Sequence, residues 1–158
     1  MECAIRKAGP QDEEGVMRLL SQIAGHHHKG RPDMFKSGAR KYGHEEFAAI
    51  LNDLSKPVFV AVDDAGRVLG YVFCEITQDK DHPVLTDKKT LFIDDFCVDE
   101  TARGQLIGSK LFEAVKTYAQ SAGARHINLN VWEFNTGAIR FYEKLGFTTQ
   151  RRRMEMTL

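Results

Sequence analysis

The sequence predicts an α/β fold in a single domain over residues 1–158. Apolar residues recur at helical spacing near the start of the chain and again at 108–122, which indicates two amphipathic helices. Two β-rich runs lie on either side of a short polar turn, which is typical of an antiparallel hairpin. A chain of this length favours helices packed on one sheet around one core.

The first 57 residues predict one short strand and two helices. Ala4 to Lys7 forms the strand, and Pro10 with the acidic residues after it begins a helix that runs to about Ala24. The basic, His-rich segment 25–42 is interrupted by glycines and a proline, so it predicts a long loop. A second helix follows over His44 to Leu54 and ends before a proline.

The middle of the chain predicts three strands. Val58 to Val62 and Val68 to Thr77 are joined by a turn sequence at 63–67 and form the hairpin. A polar stretch over 78–89 precedes a further strand from Thr90 to Val98. An antiparallel sheet is therefore expected here.

The last third predicts a strand-helix-strand unit followed by two more elements. The helix Gly108 to Ala122 lies between the strand that ends at Val98 and a strand over Arg125 to Trp132, so those two strands are expected to be parallel neighbours in a right-handed crossover. A helix over Thr136 to Leu145 comes next, and Phe147 to Leu158 predicts a final strand or hairpin arm.

Composition argues against several classes of partner. Lys plus Arg and Asp plus Glu number 22 each, so no overall field attracts nucleic acid or an anionic membrane. No stretch has the pattern of a secretory signal or a membrane span, which predicts a cytoplasmic protein. The cysteines, Cys3, Cys74 and Cys97, show no paired spacing, so reduced thiols are expected.

No metal is expected either. His26, His27 and His28 are consecutive, so their side chains diverge and at most two could share an ion.

The connection between Val98 and the following helix has the composition of an anion site. It places Arg103, Gly104 and Gly108 between a strand end and a helix start, where unpaired N–H groups and the helix dipole favour a phosphate. The spacing differs from that of a P-loop, because the two glycines are one residue too close and Ser109 precedes Lys110. A plain strand-to-helix connection is the alternative.

A second motif supports the anion-site interpretation. Residues 135–147 read N-x-x-A-x-x-F-Y-x-x-x-G-F, about thirty residues after the glycine-containing turn. With both motifs in view, the chain resembles the GNAT superfamily of N-acetyltransferases of bacterial type, most densely from Leu91 to Phe147. The resemblance implies a mixed, mostly antiparallel central sheet with splayed middle strands, and acetyl-CoA as cosubstrate.

The resemblance also implies roles for individual residues. The splayed strand at Phe96, Cys97 and Val98 would bond the pantetheine arm, with the Val98 N–H as oxyanion donor. Asn135 would contact the cofactor, and Tyr142 would protonate the departing thiolate, although a buried structural ring is the alternative for Tyr142. The pyrophosphate would be held by Arg103, Gly104, Gln105, Leu106, Ile107, Gly108 and Ser109.

Leu106 departs from the superfamily pattern, which has glycine at this position. We expect Leu106 to serve only with a negative φ and with its side chain turned away from the phosphates.

An amine substrate must lose a proton before it attacks, so a base is required. Asp94 is the first candidate, because alternation along the strand places it on one face with Phe96 and Val98. A structural ion pair is the alternative for Asp94. Asp95 is the second candidate, and a water chain to a base is the third.

A small-molecule amine is the favoured acceptor. A peptide N-terminus or a lysine is the alternative, and Asn130 stands where peptide N-terminal acetyltransferases often have the glutamate of an L-E-V-R stretch. The resemblance implies that the segment between the first two helices borders the acceptor pocket, so the His-rich stretch could shape substrate choice. Phe35, Tyr42 and Trp132 could line the same pocket or belong to the core. A CoA-binding sensor without chemistry is the rival from another class. Homodimers are common in the superfamily, so a homodimer is also considered.

Overall fold

The computed structural model describes residues 2–158, and it contains one sheet with helices on both faces. The strands are β1 (Ala4–Lys7), β2 (Val58–Val62), β3 (Val68–Gln78), β4 (Lys89–Val98) and β5 (His126–Leu129). The helices are α1 (Glu13–Gly30), α2 (His44–Leu51), α3 (Ile107–Ser121) and α4 (Thr136–Lys144). Short 3-10 turns cover Pro10–Asp12 and Glu100–Ala102.

The sheet is mostly antiparallel, as the resemblance implied. Its strand order is β1-β2-β3-β4-β5, with antiparallel pairs up to β4 and a parallel pair between β4 and β5. Apolar side chains of α3 cover one face, and those of α1 and α2 cover the other. The predicted α/β fold, the hairpin and the parallel β4-α3-β5 unit are confirmed.

The two middle strands separate halfway along β4. The register between β4 and β5 runs from Thr90 opposite His126 to Ile93 opposite Leu129 and ends there. Residues 94–98 continue to pair with β3 and have no partner in β5. This separation leaves an opening between the strands, which confirms the splayed arrangement.

A β-bulge lies at the point of separation. Ile93 is opposite Cys74 and Asp95 is opposite Phe73, so Asp94 is the extra residue of β4. The bulge interrupts the alternation of side chains. Asp94 therefore contacts the Tyr42 side of the sheet, whereas Phe96 and Val98 pack toward α3. The expectation that Asp94 shares a face with those two residues is wrong for this reason.

Helix α1 is longer than the sequence indicated. It continues to Gly30, so His26, His27 and His28 form its last turns and do not belong to a loop. Tertiary contacts stabilise this end: the His28 Nδ1 lies 2.7 Å from the carbonyl oxygen of Phe35, and the His27 ring stacks on the Phe35 ring. Such contacts outweigh the local propensity of glycine and histidine.

The predicted final strand is absent from the described residues. The segment after Phe147 has no strand pairing, and residues 148–158 are all exposed. A strand is stabilised by burying alternate side chains, and Met154 and Met156 stay exposed here. The segment is held at one point by an ion pair of 2.7 Å between Arg31 and Glu155. The strand predicted to reach Trp132 likewise stops at Leu129, where its partner β4 bulges away.

A buried carboxylate fixes the end of β4. Asp99 accepts hydrogen bonds from Arg18 at 2.5 Å, from Arg67 at 3.0 Å and from the Thr101 N–H at 3.0 Å. Although burial alone would raise it, these donors lower the pKa of Asp99 to about 2. The anchored carboxylate ties the turn after β4 to α1 and β3, and so positions the connection to α3.

Candidate active site

The start of α3 presents backbone donors toward the opening of the sheet. The first hydrogen bond within the helix runs from the Lys110 N–H to the Leu106 carbonyl oxygen at 3.0 Å. The N–H groups of Ile107, Gly108 and Ser109 precede that bond and have no acceptor within the helix. Leu106, at the N-cap position, has no side-chain acceptor to satisfy them. These donors and the helix dipole suit an anionic ligand.

The loop before α3 contains two residues with left-handed backbone. Gly104 has φ +79° and Leu106 has φ +60°. Glycine adopts this region without strain, whereas a leucine there is strained by its Cβ. The expectation of a negative φ at Leu106 is wrong, because the turn into α3 imposes the backbone shape that glycine would otherwise supply. Leu106 is 70% exposed, so its side chain lies outside the core, and its orientation relative to a bound phosphate stays a prediction.

Close packing joins the two sequence motifs. A Cβ at Gly108 would lie 3.0 Å from the Phe141 ring, so the absence of a side chain lets α4 approach the start of α3. The Phe96 ring lies 5.6 Å from the Phe141 ring and 6.2 Å from the Tyr142 ring, measured between centroids. The predicted strand, loop and α4 residues therefore come together around the opening.

The free edge of β4 provides two more backbone donors. The Asp99 N–H donates a hydrogen bond to the Leu69 carbonyl oxygen at 2.8 Å. Backbone groups of an antiparallel strand alternate in direction, so Cys97, two residues earlier, also directs its N–H and carbonyl toward β3. Phe96 and Val98 alternate with those two residues and direct their N–H groups to the other side, where β5 no longer pairs. Val98 can thus donate into the opening, as the oxyanion assignment requires.

Cys97 differs from the other predicted contacts. Its side chain packs on the α1 face, with Sγ 3.7 Å from the Leu19 carbonyl oxygen. Burial is the main cause that raises the pKa of this thiol to about 12, and it does the same for Cys74. Burial therefore favours the protonated form of both thiols at neutral pH, which argues against a covalent route through either one.

Asn135 and Arg103 occupy different positions relative to the opening. Asn135 is the N-cap of α4, and its Oδ1 accepts a hydrogen bond from the Ala138 N–H at 3.3 Å. Its Nδ2 is the group that can donate to a ligand. Arg103 is exposed on the loop, and the Gln105 side chain is partly buried with its oxygen unpaired.

Tyr142 lies at the same opening, in the last turn of α4. Its ring packs between Phe96, Phe141 and Phe147. Burial, and then the nearby charges of Asp95 and Cys97, raise the pKa of Tyr142 well above its usual value. The hydroxyl therefore stays protonated at neutral pH and is a proton donor.

Asp94 is already engaged by two neighbours. Lys41 Nζ lies 3.0 Å from its Oδ1 and 2.9 Å from its carbonyl oxygen, and the Tyr42 hydroxyl bonds its Oδ2. A carboxylate that holds an ammonium and a phenol is poorly placed to accept a further proton. Burial, and then the bond to Asp94, raise the pKa of Tyr42 well above its usual value. This is the structural ion pair that stood as the alternative for Asp94.

Asp95 has the properties of a base. Asp95 is partly buried, and burial is the main reason that its pKa is raised to about 6. The positive charge of Lys41 acts in the opposite direction and lowers this pKa. Such a carboxyl is mostly ionised at pH 7 and still binds a proton more tightly than an exposed aspartate. Perturbed carboxyls of this kind are frequent at catalytic sites.

Two residues at this site were not identified from the sequence. Tyr71, on β3, has a buried hydroxyl without a hydrogen-bond partner among residues 2–158, and the adjacent Asp95 charge is second to burial in raising its pKa. Lys41 lies in the coil before α2, 53 positions from Asp94. Register along the hairpin could have indicated Tyr71, whereas no sequence signal marks Lys41.

Two of the predicted pocket aromatics, Phe35 and Trp132, belong to a cluster at the end of α1, whereas Tyr42 packs against Phe73. The Phe35 ring contacts the Trp132 ring at 4.9 Å between centroids, and Trp132 stacks on Phe134. His27 joins the cluster, and burial lowers its pKa. Within residues 2–158 no group of three or more His, Cys, Asp or Glu side chains is arranged to hold a metal ion, and no helix there is long and apolar enough to cross a membrane.

A sheet that splits beside free backbone donors at a helix start is the arrangement that the resemblance to the GNAT superfamily implied. Residues 26–147 match the model of the acetyltransferase (GNAT) family, and the chain belongs to that family.

Several relatives extend the comparison. A tetramutant of the BH1408 protein from Bacillus halodurans is 36% identical, with coverage of 98% of this chain and 99% of that one and a TM-score of 0.94. Glucosamine-6-phosphate N-acetyltransferase from Arabidopsis thaliana shares the fold at 21% identity, with 99% of each chain covered and a TM-score of 0.73. An uncharacterized N-acetyltransferase of Methanocaldococcus jannaschii is 32% identical over 89 residues, or 56% of this chain. The chain spans 38% of that relative's length and 54% of the length of a Bacillus subtilis relative.

Proposed function

We propose that this chain transfers the acetyl group of acetyl-CoA to a primary amine by direct attack, with a small-molecule amine as acceptor. The observation that carries the proposal is the opening between β4 and β5, which has α3 donors at one side and Asp95 and Tyr142 beside it. Residues 1–158 act as one catalytic domain in this proposal, and we expect it in the cytoplasm.

The residues at the opening fit a CoA diphosphate. The N–H groups at the start of α3 supply donors, Gly108 lets the backbone pack closely, and Arg103 supplies a positive charge. The N–H groups of Phe96 and Val98 suit the amides of a pantetheine arm. Acetyl-CoA contributes an acetyl thioester, whose carbonyl oxygen becomes negative during attack.

Each group at the opening then has one role in the reaction. Asp95 accepts the proton that the amine must lose, and its pKa of about 6 keeps it ionised at pH 7. The Val98 N–H stabilises the oxyanion, and the Tyr142 hydroxyl donates its proton to the thiolate that leaves. Asp95 replaces Asp94 as the proposed base because Lys41 and Tyr42 already hold Asp94.

The surroundings favour a small acceptor. The aromatic cluster of Phe35, Trp132 and Phe134 connects the coil before α2 to the segment before α4, and in this proposal it limits the size of the acceptor. The glucosamine-6-phosphate enzyme of the same fold carries a small-molecule substrate in its name. A peptide or lysine acceptor, or a sensor that binds CoA without transfer, are the competing proposals.

Two measurements test the proposal. Calorimetry should detect binding of acetyl-CoA and much weaker binding of S-acetylpantetheine, which lacks the diphosphate. Arg103→Ala should weaken only the acetyl-CoA binding, while Arg125→Ala serves as a matched exposed control. Thiol release is then measured with polyamines, aminoglycosides, amino acids and peptides. Binding without release from any acceptor would favour the sensor, and the absence of binding would refute the proposal.

A further inference from the structure

We propose that Lys41 is an acetylation site of this chain, modified by the chain's own active site. This inference rests on the proposed function, since it uses the same acetyl donor and the same proton acceptor. It assigns a chemical role to a lysine that the main reaction does not need.

The position of the Lys41 amine carries the inference. Nζ lies 2.9 Å from the Asp94 carbonyl oxygen and 3.0 Å from its carboxylate. Asp94 is the bulge residue that follows the last β4-β5 pair, so the amine is held where the two strands separate. An amine acceptor would have to enter the same opening to reach Val98.

Lys41 also lies close to the proposed base, Asp95. The Lys41 charge is the largest influence that lowers the pKa of Asp95, so the ammonium and the proposed base are electrostatic neighbours. The Lys41 side chain is 44% exposed and belongs to a coil. Val98 lies four residues along β4 from Asp94, about 13 Å at the rise of a strand, so the amine has to leave Asp94 and swing along β4 on its four methylene groups to reach the thioester.

The step balances without a further reactant. Lys41 gives one proton to Asp95, and its nitrogen forms a bond to the acetyl carbon while the carbon–sulfur bond breaks. Tyr142 protonates the thiolate, the nitrogen loses its second proton to the Tyr142 phenolate through water, and Asp95 releases its proton to the solvent. The product is an uncharged amide that no longer pairs with Asp94 as a cation.

The experiment uses the full chain and acetyl-CoA with a heavy-isotope acetyl group, which distinguishes new modification from any acquired during expression. Peptide mapping by mass spectrometry follows the label at Lys41 and at Lys36, an exposed lysine of the same coil. We expect Lys41 to be labelled at least about tenfold faster, because it is positioned and Lys36 is not. The rate constant should not depend on protein concentration.

Two variants separate enzymatic from chemical labelling. Asp95→Asn should slow labelling of Lys41 and turnover of an external amine by similar factors, with no effect on Lys36. Lys41→Arg keeps the charge beside Asp94 and should leave no label at position 41. Equal labelling of Lys41 and Lys36, insensitive to Asp95→Asn, would overturn the inference. Turnover of an external amine with Lys41 unlabelled would overturn it while the proposed function stands, whereas absence of acetyl-CoA binding would overturn both.

Discussion

The proposed cofactor half and the proposed acceptor half of the opening are built in different ways. The cofactor half consists of backbone donors at the start of α3 and on β4, joined to α4 by the contact between Gly108 and Phe141. The acceptor half consists of side chains that meet across the fold, such as Lys41 and Tyr42 on Asp94. Its contacts join residues more than fifty positions apart.

Substitutions should act differently in the backbone-built half and in the half built from side chains. Backbone donors have the same chemistry whatever the side chains are, so the cofactor half tolerates sequence changes such as leucine at position 106. Side chains determine the acceptor half, so a single substitution there changes the charge and the proton affinity of the site. Substitutions in the acceptor half should therefore alter proton transfer and leave acetyl-CoA binding nearly unchanged.

The largest effect is expected from Asp95→Asn. The amide cannot accept a proton, so kcat/KM for an amine should fall about 10²- to 10⁴-fold at pH 7.5, with the Kd of acetyl-CoA nearly unchanged. The wild type should lose activity as pH falls through about 6, where the Asp95 carboxylate becomes protonated, and the variant should lack that limb. A thiol-release assay across pH measures both.

Asp94→Asn is the matched control, and it should retain the acidic limb. Stability provides a second check. Folding raises the pKa of Asp95 from 3.8 to about 6. The folded state therefore loses stability as pH rises through that range, and the full cost of the buried charge is present at pH 8. Asp95→Asn should therefore unfold at no lower temperature than the wild type at pH 8. A variant that is both inactive and unstable would indicate a structural role instead.

Tyr142→Phe should have the next largest effect. Phenylalanine preserves the packing against Phe96, Phe141 and Phe147 and removes only the hydroxyl, so kcat should fall about 10²-fold through loss of the proton donor. The Kd of acetyl-CoA, measured by calorimetry, should change little. Tyr118→Phe on α3 is the control and should retain full turnover. Unchanged kcat in Tyr142→Phe would remove this residue from the acid role.

Lys41→Gln should have a moderate effect that is confined to the acceptor half. Its neutral amide resembles an acetylated lysine, so the positive charge that lowers the pKa of Asp95 is lost. The acidic limb of kcat/KM should then move to higher pH, with a loss of about two- to fivefold at pH 6, as expected for one partly exposed charge. Lys41→Arg should keep the wild-type profile. An identical profile in Lys41→Gln would mean that this charge does not act on the base.

The parts predicted from the sequence are those that depend on local backbone geometry. The hairpin, α3 and the donors before it follow from apolar periodicity and from glycines at a strand-to-helix turn. These features need only a few neighbouring residues, which is why the sequence could indicate that the Arg103–Ser109 loop connects β4 to α3. The roles of its individual residues stay predictions.

The parts that sequence could not predict depend on contacts across the fold. The bulge at Asp94 arises from the pairing of β4 with β3, and one extra residue reverses which side chains face the acceptor half. The end of α1 is stabilised by contacts with Phe35 that no helix propensity includes. The last segment has alternating apolar residues but covers no face of the sheet, so a strand-like pattern did not produce a strand.

Leu106→Gly should have the smallest effect, and it tests whether the cofactor half really depends on backbone shape alone. Leucine at φ +60° is strained by about 1–2 kcal/mol, and glycine removes that strain at an entropic cost of about 0.5–1 kcal/mol. Because the leucine side chain is 70% exposed, little burial is lost. The free energy of unfolding, from urea titration, should rise by roughly 0.5–1 kcal/mol while the Kd of acetyl-CoA stays within about twofold.

Gly104→Leu, at the other left-handed position, should lower the free energy of unfolding by about 1–2 kcal/mol. If Leu106→Gly weakened acetyl-CoA binding tenfold, the leucine side chain itself would contact the cofactor, and the division between a backbone half and a side-chain half would fail at this residue.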